Sequence, residues 1–163
     1  MNNLTQEKIA MVVTHQELLN HWQGHRNNTR RTIEAFPEKE FFNYSIGGMR
    51  PFADMVKELL AIAVPGLREI AGGQPETLNE HNDEANTKAK ILDLWDTASE
   101  DINKYWSLIP EERFHDMIKT FGQYEGTVWS SIFYFIDNEI HHRGQGYVYL
   151  RSLGIAPPAF YER

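Results

Sequence analysis

The chain contains no cysteine. Disulfides, thiolate metal sites and a cysteine nucleophile are therefore excluded. No apolar run approaches the length of a membrane span, so no membrane association is expected. Met1 to Ala10 is polar and lacks the basic start and apolar stretch of a signal peptide. Together with the missing cysteine this fits a cytoplasmic protein. There is no dense run of Lys or Arg, and the formal charge is −7. A net-acidic chain of this kind is poorly suited to a phosphate backbone, so no nucleic acid is expected as a partner. Internal repeats, low-complexity tracts, a Ser nucleophile with its base, a phosphate-cradling loop and a nucleotide fingerprint are all missing from the sequence.

What remains is an ordinary globular composition over 163 residues, enough for one domain, 1–163, with a sizeable core. Clean alternation of period two is absent, and helical spacing dominates. A first helix is expected from about Thr14 to Ala35, with Leu18, Leu19, Trp22 and Ile33 on its apolar stripe and Phe36-Pro37 closing it. Phe41 to Met49 reads as an extended linker, with Gly47-Gly48 as a turn. A second helix opens near Pro51 and carries Phe52, Met55, Val56, Leu59, Leu60 and Ile62. Pro65 is a candidate kink in it, and Gly72-Gly73 ends it. After a polar loop, Gln74 to Asn86, a third helix carries Ile91, Leu94, Trp95, Ala98, Ile102 and Trp106. Pro110 to Arg113 reads as a turn, and Phe114 to Gly122 as short extended or helical structure. The fourth helix runs from about Thr127 to Leu153, and the tail from Ile155 packs back on the surface. Four helices with one long second loop make an all-α antiparallel four-helix bundle the expected fold.

The fourth helix carries the chemistry. On a wheel of about 100° per residue, Trp129, Phe133, Ile136, Ile140, Tyr147 and Arg151 share one side. Val128, Ser131, Phe135, Asn138, His142, Gln145 and Tyr149 share the other. Both sides carry large apolar groups, so the helix is expected to be buried nearly all round, with a second subunit on the side away from the core. A homodimer through this helix is one reading; a helix covered by the tail of its own chain is the other. Asn138 and His142, four apart, project from the same side and have the spacing of two ligands to one metal ion. A hydrogen-bonded cluster of His142, Asn138 and Gln145 is the alternative. Glu139 and Arg143 have the order of a helical ion pair. His141 is offset from His142 by about 100° and is read as a neighbouring, interface or surface group. His21 and His25 also have ligand spacing, but with Asn20, Gln23, Asn27 and Asn28 around them they read as a solvated face, as do Arg26, Arg30 and Arg31.

The segment Glu139-Ile-His-His-Arg-Gly-Gln-Gly-Tyr-Val-Tyr-Leu-Arg151, followed by Leu153-Gly-Ile and Pro157-Pro158, resembles the C-terminal signature of the DinB-like proteins, named for DNA-damage-inducible protein B. Met49-Arg50-Pro51-Phe52 and the four-helix layout support the resemblance. It implies a bundle with an up-down-down-up path, a dimer, a stress-related role, and a divalent metal such as nickel, zinc or manganese held by three histidines. In this chain the corresponding positions are Glu58, counted from Arg50-Pro51-Phe52, Asn138 and His142. One carboxylate, one amide and one imidazole replace three imidazoles. His141, Arg143, Gln145 and Tyr149 would surround that site.

Two functions follow. The first is a metal-dependent enzyme acting on an unidentified small molecule, of thiol-transferase or hydrolase type, in which the metal activates a water or a thiol. The second is a non-catalytic dimeric binding or interaction protein that has lost the metal.

Overall fold

The structure, a computed structural model, describes residues 12–80 and 83–163. The Met1–Ala10 stretch and His81 lie outside the described residues. Four long helices are present: α1 His15–Ala35, α3 Phe52–Ile70, α4 Lys88–Trp106 and α5 Val128–Ser152, with a short helix α2 Glu38–Asn43 after α1. Threonine opens three of the long helices. Thr14 and Glu17 form a reciprocal capping box on α1, and Thr87 and Thr127 accept from backbone N–H groups of α4 and α5. These caps satisfy donors that have no partner within the helix. Pro65 sits inside α3 without ending it, and the chain leaves that helix at Gly72, whose φ of 102° suits glycine.

Side-chain contacts fix the path. Trp22 meets Trp106, and Arg30 pairs with Asp96, so α4 runs antiparallel to α1. Trp22 also meets Phe135, and Tyr147 bonds Asn28, so α5 runs parallel to α1. Gly66 lies against Phe135 and Gly146 against Phe52, so α3 and α5 are antiparallel. The path is therefore up, down, down, up in the order α1, α3, α4, α5, and α1 and α3 each pack against both α4 and α5. Consecutive parallel helices α3 and α4 need a connection as long as the bundle. The polar stretch between them supplies it.

The two glycine–phenylalanine contacts are close. A methyl group at Gly66 would meet the Phe135 ring at 2.5 Å, and one at Gly146 would meet the Phe52 ring at 2.6 Å. Each ring fits a notch on the opposite helix, one pair toward each end. They set the register of α3 against α5 and so decide which side chains face each other between them.

Two local expectations are revised and one is met with added detail. Phe41 to Asn43 belongs to α2 instead of an extended linker; Phe41 and Phe36 are buried against Phe52, and that packing holds a helix too short for a periodic signal. The turn expected near Pro110 is a 3₁₀ turn over Glu111–His115, and the short extended structure expected after it is the strand Met117–Thr120; its antiparallel pairing with Tyr124–Thr127 into a small hairpin before α5 is added by the structure. The buried face of α5 takes Val128, Phe135, His142 and Tyr149 from the second of the two sides read from sequence and is rotated from it toward the first, so that it also includes Ile132, Glu139 and Gly146. Within one chain Trp129, Ile140 and Val148 remain exposed.

Buried apolar residues form two clusters. One gathers Trp22, Leu67, Ile102, Trp106 and Ile132; the other gathers Phe36, Phe52, Val56, Trp95 and Leu150. A polar layer lies between them. His25 and Arg26 are buried in it, at 3% and 1% exposure, so the solvated reading of both is corrected. Arg26 lies 3.3 Å over the Trp95 ring and pairs with Glu139 at 3.5 Å. Arg143 donates to the His25 carbonyl, to Thr29 Oγ1 and to His25 Nδ1, and Thr29 donates to Glu139 at 2.6 Å. Burial is tolerated because each charge finds a partner. Burial lowers the Arg26 pKa to about 10, which leaves it charged at neutral pH.

Candidate functional site

Residues 138, 139, 142 and 143 of α5 divide between two neighbours. Glu139 and Arg143 turn to α1, as above. Asn138 and His142, rotated by about 100°, turn to α3 and meet Glu58. Glu58 lies between the two ring-in-notch contacts, so the register they impose brings it to the pair.

The geometry is convergent. Asn138 Nδ2 donates to Glu58 Oε1 at 3.1 Å, and His142 Nε2 lies 3.1 Å from the same oxygen. The Arg50 guanidinium bonds Glu58 Oε2 and lies 3.9 Å from Glu80. On the far side of the imidazole, His142 Nδ1 is 2.9 Å from Gln145 Oε1. Burial alone would raise the Glu58 pKa. Hydrogen bonds from Arg50, Asn138 and His142 outweigh burial and hold the carboxyl below its usual range.

The residues named from sequence are thus partly assembled. Glu58, Asn138, His142 and Gln145 form one connected cluster. Tyr149 reaches it indirectly, donating to the Arg50 carbonyl at 2.9 Å. Arg143 points to α1 instead, and His141 is exposed, with its ring in a T-shaped contact with that of His142. Arg50 is the member that sequence reasoning did not place. Its signal was its position immediately before the Pro51 that opens α3, eight residues from Glu58.

The donor set does not fit a resident divalent cation. It offers one carboxylate and one imidazole; the third member turns its amide nitrogen, which donates, toward the carboxylate. A guanidinium already neutralises Glu58, and a doubly charged ion would have to sit beside it. Among the described residues no group of three or more His, Cys, Asp or Glu could hold a metal ion.

Beside Glu58 opens a cleft of about 270 Å³. Glu58 and Ile62 of α3 form its floor, Leu78 and Glu80 one rim, the hairpin the other, and Ser131, Tyr134 and Phe135 of α5 its back. Tyr134 stands one turn before Asn138, so the series Tyr134, Asn138, His142 joins cleft and cluster along one stripe. Phe121, which closes the hairpin side, has a φ of 53°, a left-handed conformation that costs a side-chain-bearing residue strain. Its backbone N–H donates to Glu69 Oε2, which also accepts from the N–H of Glu76. One carboxylate on α3 therefore fastens both the hairpin and the rim loop.

The model of the DinB family matches residues 11–163. Among curated proteins none matches. A crystal structure of a DinB-like protein from Bacillus cereus ATCC 10987 superposes with a TM-score of 0.70 at 18% identity, covering 93% of this chain and 100% of that one. A DinB-like protein from Bacillus subtilis, YjoA, gives a TM-score of 0.68 at 20% identity, covering 90% of this chain and 99% of that one. At these identities the likeness is one of fold.

Proposed function

The chain belongs to the DinB family, and from that premise we propose that it is a metal-independent, dimeric small-molecule-binding protein whose ligand occupies the cleft beside Glu58. One observation carries the reading: Arg50, Asn138 and His142 all converge on Glu58 and close the expected metal position with hydrogen bonds. A cluster satisfied in this way is a rigid end wall for the cleft. A partly apolar concavity with a few fixed polar groups is the usual form of a small-molecule site. The second copy covers the outer stripe of α5, where Trp129, Ile140 and Val148 are exposed.

Elemental analysis of untagged protein tests the metal half of this reading. After incubation with nickel, zinc or manganese and desalting, wild type should retain well under one equivalent. Combining Arg50→Ala with Asn138→His removes the guanidinium and adds an imidazole, and should raise retention toward one equivalent. Near-stoichiometric metal in wild type, lost in His142→Ala, would overturn the proposal.

A further inference from the structure

The cleft has a chemical character beyond its place next to Glu58. Its charged lining residues are Glu58, Glu80 and Glu125, and no Lys or Arg lines it. Arg50 touches this set from outside, bonding Glu58 and lying 3.9 Å from Glu80. Three carboxylates against one guanidinium leave the cleft net negative. Glu125 makes no ion pair with any described residue. Four aromatic residues, Phe121, Tyr124, Tyr134 and Phe135, share the remaining walls with Ile62, Leu78 and small or hydroxyl residues. Tyr134 registers the field, since burial first and then Glu58, Tyr124 and Glu80 all push its phenol up.

Aromatic faces and carboxylates favour the same kind of ligand. The ring face carries negative quadrupole density and attracts a soft, weakly hydrated cation. A carboxylate at the rim adds Coulomb attraction in a partly desolvated setting. An anionic ligand meets repulsion from both, and a neutral apolar ligand gains from neither. A cleft of about 270 Å³ suits a compact molecule and not a polymer. The strained Phe121 fits this picture, since its ring closes one wall while the Glu69 carboxylate holds its backbone in place.

We propose that the cleft between Glu58, the hairpin and the start of α5 selects a small organic ammonium ion, its charged head among Tyr124, Tyr134, Glu80 and Glu125. This rests on the preceding reading of the cleft as the ligand site and names the class of ligand.

The test compares three probes of one shape and different charge: choline, 3,3-dimethylbutan-1-ol and 3,3-dimethylbutanoate. Each is titrated into the full chain at low salt, with backbone amide shifts of residues 120–126 and 130–135 as the readout. Choline should bind at least about fivefold tighter than the alcohol, with the carboxylate weakest. Glu125→Gln and Tyr134→Leu, both at exposed positions, should narrow that preference while leaving the remaining spectrum unchanged. If the alcohol equals choline, or the carboxylate binds tightest, the ammonium inference falls and the cleft reading stands. If none of the three perturbs these amides, the cleft reading falls as well.

Discussion

His25 is buried and neutral in the fold. Burial first, and then the nearby Arg143, Arg163 and His21, lower its pKa to about 3. In the unfolded chain an imidazole titrates near its ordinary value, about 6.5. Between these values the unfolded state binds a proton that the folded state does not, so stability is present above about pH 6.5 and is lost as pH falls toward 3. Glu58, with its carboxyl held down, acts in the same sense at the lower end of this window. Chemical denaturation should therefore show an unfolding free energy that falls from pH 6.5 to 4.5, with a slope of up to roughly 1.4 kcal/mol per pH unit. His25→Gln removes this titration and should flatten the slope. Glu139 makes a sharper residue-scale prediction. It sits at 1% exposure between Arg26 and Arg143. Glu139→Ala leaves two buried guanidiniums without their shared anion and should cost about 3–5 kcal/mol in chemical denaturation.

Among the elements, the α3–α5 pair decides the site. Gly66→Ala and Gly146→Ala would each press a methyl into a buried ring, Phe135 or Phe52. Each should cost about 1–3 kcal/mol despite the better helix propensity of alanine. A denaturation midpoint unchanged in both variants would show that the rings move freely. The same scale explains what the sequence could reveal. The four long helices were legible because each repeats its apolar spacing over five or more turns. Asn138 and His142 were legible because four-residue spacing on a helix has one geometric meaning. Helix α2 and the hairpin were not, since six-residue and four-residue elements are held by contacts with distant residues such as Phe52 and Glu69. The cleft was invisible for a related reason: its lining comes from α3, the following loop, the hairpin and α5. The burial of Arg26 was missed because a charged residue reads as solvent-facing until Trp95 and Glu139 are found beside it.

For the whole molecule, the outer stripe of α5 bears on assembly. Trp129, Ile140 and Val148 are exposed at 44%, 37% and 55% in the single chain. Gly144 lies between Ile140 and Val148 on that line, with the exposed Asp137 and Arg151 one turn beyond its two ends. Light scattering coupled to size-exclusion chromatography should report a dimer for wild type. Ile140→Glu, which places a charge in the stripe without touching either core cluster, should shift it toward monomer. An unchanged dimer would move the interface elsewhere on the surface.

The division of the interior by a polar layer also gives the molecule its own optical probes. Trp22 and Trp106 lie in one apolar cluster, Trp95 in the other beneath the Arg26 guanidinium, and Trp129 on the outer stripe of α5. With one indole retained at a time, emission would report separately on each half of the interior and on the outer face. Loosening of one half, melting of the other and coverage of α5 would then be distinguishable as three colours of the same unfolding curve.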